Sequence, residues 1–518
     1  MLTWRSLAVL CLTVSLGGAG CATQGKSEPR ALVIDKKVAA LVKHACEDSV
    51  DSVYQNPGSL SELDDNRRGD IVRCAKGEAI SVEALHEALS EAGFYDVDVK
   101  SSVQLYRVQY RTKRAYRGAD VSSALVVVPN EPDDEDDDGD YDEAKGVKRE
   151  ALRAQEDDDE DNGGKRGPLV VYGHGTSPYR QDCGVSRADP LTATFLSEPD
   201  RELRTVLALA AQGWPVIAPD YAGFVEGSPV TGYMFAEDEA YSVLDATRAM
   251  KKLLEKFPDQ SVLVGHSQGG HAVLAAQSYE KKYGADGKIA GVVAFAPFWA
   301  PARAFGVIIS PESGYTTDDP SGVGGYAINT AVEYFYTHEE LIAGPGRGRD
   351  ILRFDIDELL GSKGSECNYF PDLAPYGTYG TELFKEGFEA VAACAAAGAL
   401  CDDPLAQTWS ERFRKDRPAL DPKGAPVLLW QGAQDTVVPV SIVGCGVDKI
   451  RQDFSDNASA TLKLCADPSA EHELVESNNA AHAIQWIKAR THGAEEPTQT
   501  CGDESVLEGI DCFIGNHD

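Results

Sequence analysis

Long apolar runs are missing from this chain, and so is an excess of basic charge. After the first residues no segment approaches the 20 or so apolar residues that a membrane-spanning helix needs, so no later membrane-spanning helix is expected. Lysine and arginine number 49 against 83 aspartates and glutamates, a net charge of −34. Nothing here neutralises phosphates, which argues against nucleic acid as a partner. With 42% hydrophobic and 25% charged residues the chain is nonetheless globular, long enough for one large decorated domain or two smaller ones.

Much of the acidity is concentrated. Residues 131 to 162 hold 17 acidic and 4 basic residues with a single aromatic, a composition that predicts a disordered, solvated loop over 131–164. Its Asp134, Asp136, Asp138 and Gly139 match the beginning of an EF-hand loop, but Lys145 stands where a bidentate glutamate is needed. The second acidic run, from Asp158, places Leu169 at that position, so neither run predicts a dedicated metal site.

The amino terminus reads as an export signal: one arginine, an apolar run from Leu7 to about Leu16, then small residues up to Cys21. Residues 16–21 resemble a bacterial lipoprotein signal, which implies lipidation of Cys21 and attachment to the cell envelope, with Gly18 standing where such signals usually carry leucine; ordinary cleavage and secretion is the alternative. Twelve cysteines less Cys11 and Cys21 leave ten, an even number suited to disulfides outside the cytoplasm. Local spacing suggests Cys46–Cys74, Cys394–Cys401, Cys445–Cys465 and Cys501–Cys512.

Residues 30 to 100 show helical spacing and predict a helical amino-terminal extension over 22–103. "QLYRVQYRT" and "SSALVVVP" then read as a β-hairpin. Buried-looking strands follow in "PLVVYGHGT", "GWPVIAPDYAGF", "SVLVGHS", "IAGVVAFAP" and "APVLLWQGAQD", separated by helical stretches. That alternation predicts an α/β fold with a mainly parallel sheet covered on both faces. It spans 104–300 and 424–518, with a mostly helical cap inserted at 301–423.

In "SVLVGHSQGGHAVLAAQ" Ser267 stands between Gly265 and Gly269, where an apolar strand meets a helix-like run. Such a sharp turn holds a serine side chain clear of the sheet, which suits a nucleophile. A serine hydroxyl needs a histidine to take its proton and a carboxylate to orient that histidine. Asp435, in the turn after "VLLWQG", is the candidate acid. Of the histidines that follow it, His482 begins an amphipathic run and is the candidate base, whereas His472 sits in the acidic "SAEHELVE" and reads as exposed. His492 and His517 fall in polar tail sequence. His271, one helical turn beyond Ser267, reads as packing beside the turn. The "GHGT" loop could aim the Thr176 N–H, together with that of Gln268, at a developing oxyanion.

With these parts in the order serine, aspartate, histidine, the chain resembles the α/β-hydrolases, and most closely the secretory lipases and esterases. The resemblance rests on "YGHGT", "APDYAGF", "GHSQGGHA", "QGAQDTVVP" and "AAHAIQW", and covers roughly residues 104 to 490. It implies an α/β-hydrolase fold and a serine hydrolase acting on a small-molecule or lipid ester with no metal or organic cofactor. It assigns Asp220, in "APDYAGF", to structural support. A peptidase or amidase with the same triad, and a catalytically inactive surface-binding hydrolase fold, stay open. Phe298 and Trp299, just past a strand end, could line an acyl pocket or pack the cap. Membrane association is expected only through the amino-terminal lipid; oligomeric state is open.

Overall fold

A computed structural model describes residues 42–60, 66–130, 167–178, 180–191, 198–299, 304–319, 322–356, 367, 372–397, 402–441, 443, 444, 446, 447, 462–497 and 501. The signal region with Cys21, the acidic segment 131–164, Cys401, Cys445, Cys512 and His517 lie outside them.

Nine strands form one mixed sheet in the order β1-β2-β3-β5-β4-β6-β7-β8-β9. Strand β1 (Ile71–Ile80), β2 (Val103–Arg114) and β3 (Gly118–Pro129) are antiparallel, and β3 also pairs antiparallel with β5 (Val216–Ala222). The strands β5, β4 (Leu169–Gly173), β6 (Gln260–His266), β7 (Lys288–Phe295), β8 (Val427–Gly432) and β9 (Leu462–Asp467) run parallel. The expected hairpin is there, with Val103 opposite Pro129 and Arg114 opposite Gly118.

Two-residue periodicity sends alternate side chains of each strand to opposite faces. Val170, Val262, Val293 and Leu428 therefore enter one core, while Leu169, Leu263, Val292 and Val427 enter the other. Helix α3 (Glu198–Ala210) covers the first face through Leu203, Val206 and Leu207, beside Ile484 and Ile487 of the last helix (Val475–His492). Helices α4 (Ala236–Leu253) and α5 (Gln268–Tyr283) cover the second through Val243, Leu244, Val273 and Leu274. Both faces being apolar explains why these strands read as near-continuous hydrophobic runs.

Between β7 and β8 the described chain is helical: Ala304–Ile308, Val323–Ile342, Phe388–Ala397 and Pro404–Asp416. It has its own aromatic core, with Phe335, Phe384, Phe388, Trp409 and Phe413 packed together, and Tyr233 and Met234 join it from the segment after β5. No helix among the described residues is long and apolar enough to cross a membrane.

The amino-terminal extension differs from the helical expectation. Its described helices are α1 (Val50–Val53) and α2 (Val82–Glu91), and between them Ile71–Ile80 is an edge strand paired with β2. The apolar residues of "IVRCAKGEAI" serve pairing and a disulfide, so their spacing mimics neither a clean strand nor a helix.

Cysteine pairing departs from local spacing in part. Cys46–Cys74 is present as expected, and Cys394 is disulfide-bonded. Cys465, on β9, bonds Cys501, which overturns the Cys445–Cys465 and Cys501–Cys512 pairs; the Ala466 N–H donates to the Cys501 carbonyl, bringing the tail alongside the strand. Cys183–Cys367 spans 184 residues and joins a loop of the core to the helical insertion. The three disulfides with both ends among the described residues, together with bonded Cys394, suit an exported protein.

Candidate active site

Ser267 occupies the turn between β6 and α5 with φ 54° and ψ −118°, a conformation that costs a non-glycine residue about 1–3 kcal/mol. The turn is pinned from both sides. The Ser267 N–H donates to the Phe295 carbonyl at 3.0 Å, and the Ser267 carbonyl accepts from Phe298 N–H at 3.0 Å. The flanking glycines are sterically required: a Cβ on Gly265 would meet the Gly269 carbonyl oxygen at 2.2 Å, and one on Gly269 would meet the Gly173 oxygen at 1.9 Å.

The loop after β4 lies against this turn, since a Cβ on Gly175 would sit 3.4 Å from that of Ser267. Tyr221 O–H donates to the His174 carbonyl at 2.9 Å, and its ring packs on His174 at 4.6 Å. The Gly175 N–H is committed to Glu202 Oε2 at 2.5 Å, so Thr176 supplies the next backbone donor of the loop. Thr176 Oγ1 is 3.1 Å from the Tyr233 hydroxyl. Gln268 is the first residue of α5, where a backbone N–H has no partner within the helix.

Asp435 follows β8 as expected and is fully engaged. Its Oδ1 accepts from the N–H groups of Val437 (2.9 Å) and Val438 (2.7 Å). Its Oδ2 accepts from Gln431 Nε2 at 3.1 Å and lies 2.7 Å from Nδ1 of His472.

The histidine on Asp435 is therefore His472, and His482 is not at the site. The last helix begins at Val475, so His482 lies two turns inside it, facing the core. Its ring stands edge-on to Trp430 at 5.1 Å, and neither ring nitrogen has a hydrogen-bond partner among the described residues. Burial, assisted by Lys463, holds its pKa down at about 4. His472 sits in the turn after β9 and is 1% exposed. Asp467 organises that turn, its Oδ1 accepting from Ser469 and Ala470 N–H groups and its Oδ2 from Asn478 and Asn479. Glu471 and Glu473 make the stretch look like solvated surface; the available signal was the strand "LKLCAD" before it, which makes His472 the first histidine after the strand following the acid.

A linkage effect follows for His482. Its folded pKa of about 4 lies below the unfolded value of about 6.5, so the fold favours the neutral ring. That stabilisation is complete above pH 6.5 and is lost as pH falls toward 4. His482→Phe is expected to flatten the fall in thermal midpoint between pH 7 and 4 relative to the parent protein; an unchanged slope would contradict the assignment.

Other candidates have structural places. Asp220 is buried and accepts from Ser123 Oγ (2.6 Å), Ser186 Oγ (2.5 Å) and Ser186 N–H (2.7 Å), fastening the loop before α3 to β5. His271 packs beside the turn: Nδ1 is 2.6 Å from Glu239 Oε2, and Nε2 is 2.7 Å from the Asp416 carbonyl in the helical insertion. Burial opposes charge on this ring, yet Glu239 raises its pKa above the ordinary value. Glu239 also accepts from Gln268 Nε2 at 2.8 Å. Trp299 belongs to the sheet core, whereas half-buried Phe298 packs on Phe305 of the insertion at 5.0 Å. Two groups of potential metal ligands among the described residues, Cys465–His482–Cys501 and Asp182–Cys183–Cys367, each contain both sulfurs of a disulfide and so lack thiolates.

Comparison with known proteins agrees with this architecture. A family model described as "Alpha/beta hydrolase family" matches residues 191–463. Lipase A of Candida antarctica in its closed state superposes with a TM-score of 0.53 at 16% identity, covering 86% of this chain and 90% of that one. A presumed hydrolase from Legionella pneumophila gives 0.53 at 16% identity, with 81% and 98% covered. The ligand-bound rice cell wall degrading esterase LipA from Xanthomonas oryzae gives 0.49 at 16%, with 82% and 98% covered. No curated protein matches the chain. The family match spans more than half of the 518 residues, and the chain belongs to the alpha/beta hydrolase family.

Proposed function

We propose that the protein is a serine carboxylic-ester hydrolase with Ser267 as nucleophile, His472 as base and Asp435 as the orienting acid. The observation that carries the reading is the 2.7 Å contact between Asp435 Oδ2 and His472 Nδ1, formed by the turns after two adjacent strands of the sheet whose β6 ends just before Ser267. With Nδ1 bound to the carboxylate, Nε2 takes the Ser267 proton as Oγ attacks the acyl carbon. The oxyanion meets the N–H groups of Thr176 and Gln268, each contributing on the order of 10²-fold or more in rate. Collapse of the intermediate expels the alcohol with the proton from His472. Water, activated by the same nitrogen, then releases the acid and restores Ser267.

The helical insertion caps this site, contacting its surroundings through Asp416 and Phe305. An ester with an apolar acyl group suits Phe298, whose backbone is bonded to Ser267 and whose ring faces the insertion's aromatic core. The test is hydrolysis of p-nitrophenyl esters of increasing acyl length by the protein lacking residues 1–21, beside its Ser267→Ala variant. Turnover that falls to background in the variant supports the reading, and turnover retained by it would discard the reading.

A further inference from the structure

His266 directly precedes Ser267 and is 3% exposed. Its Nδ1 lies 3.0 Å from Glu202 Oε1, and its Nε2 lies 3.0 Å from the carbonyl oxygen of His472. A carbonyl can only accept, so Nε2 carries a proton. A neutral ring would then present a bare Nδ1 lone pair to the carboxylate, a repulsive contact, unless a further proton sits between them. The Glu202–His266 pair therefore holds one proton more than a carboxylate beside a neutral imidazole, and is neutral as a whole, which limits the cost of burying it.

The second oxygen of Glu202 accepts from Gly175 N–H at 2.5 Å. One continuous path of hydrogen bonds thus runs from the loop carrying Thr176, through Glu202 on α3 and His266 on β6, to the backbone of His472 itself. The rings of His266 and His472 are 4.6 Å apart. Glu476, whose carboxylate feels the charge of both members, accepts from Tyr172 O–H at 2.8 Å; burial pushes its pKa up to about 7, with His266 opposing and Glu202 adding to the shift.

We propose that Glu202 and His266 are a positioning pair, which sets the separation of the oxyanion loop and the base loop on either side of Ser267. The proposal rests on the catalytic reading above for the roles of Thr176, Ser267 and His472. Neither residue touches substrate; each acts on groups that do. A displacement of about 1 Å in such groups costs on the order of 10²-fold in rate.

The test compares variants of the full mature chain whose folding is matched by circular dichroism. Glu202→Ala removes both bonds and is expected to lower kcat on a short soluble p-nitrophenyl ester about 100-fold, with KM changed less than about threefold. Glu202→Gln retains an oxygen for Gly175 N–H and an N–H for a neutral His266 Nδ1, leaving Nε2–H on His472, and is expected to recover kcat to within about tenfold of the parent. In protein labelled with 15N-histidine, a slowly exchanging Nε2–H of His266, assigned by its loss in His266→Phe, should persist in the parent and in Glu202→Gln. Parental kcat in Glu202→Ala, a Glu202→Gln variant no better than Glu202→Ala, or an unprotonated His266 Nε2 would each overturn the pair. Activity surviving in Ser267→Ala would instead remove the catalytic reading, while the His266 signal would still report the pair.

Discussion

His472→Ala is expected to lower kcat for ester hydrolysis by on the order of 10⁴-fold or more, while His482→Ala leaves kcat within a few-fold of the parent. The contrast follows from what each ring touches. His472 is bound to Asp435 at 2.7 Å, so its loss removes the ring that the proposed mechanism uses as base. His482 is two turns along the last helix with Trp430 on its edge, and its loss removes packing. Steady-state kinetics on both variants, with folding checked by circular dichroism, decides between the two histidines. Equal loss in both, or loss in His482→Ala alone, would contradict the geometry.

Gly269→Ala is expected to cost more than about 4 kcal/mol of unfolding free energy, the range in which single substitutions report a defined steric or packing fault. The added Cβ would stand 1.9 Å from the Gly173 carbonyl oxygen and 2.8 Å from that of His174, and both belong to backbone that cannot rotate aside. Relief would require α5 to move off β4, disturbing the loop after β4 and the Ser267 turn together. Gly493→Ala is the control. Gly493 has φ 73° and open space around it, so alanine there costs only the backbone strain, about 1 kcal/mol. Urea midpoints of the two variants test the difference; a Gly269→Ala protein as stable as the control would show that the contact relaxes freely.

The parallel sheet was legible because its strands are buried on both faces and read as β-branched runs, and the strand–turn–helix at Ser267 was legible because Gly265 and Gly269 bracket it. The position of Asp435, in the turn after a strand, was legible for the same reason. His472 did not, because its burial comes from partners remote in sequence, Asp435 and His266, while its immediate neighbours are acidic. The same reason hides Glu202: in "RELRTVLALAAQ" it reads as a surface acid on an amphipathic helix, and only the fold brings Gly175 and His266 to it. Cys183–Cys367 was invisible to local spacing for want of any sequence proximity. Strand β1 was missed because pairing along a sheet edge leaves a weaker pattern than burial on both faces.

The most direct test of the central claim, that Ser267 is a nucleophile activated by His472, is labelling by a fluorophosphonate followed by peptide mass spectrometry of the parent, His472→Ala and His482→Ala proteins. One stoichiometric adduct is expected, on the peptide containing Ser267, formed at the parental rate in His482→Ala and slowed at least a hundredfold in His472→Ala. An adduct on another residue, or parental labelling of Ser267 in His472→Ala, would contradict that claim.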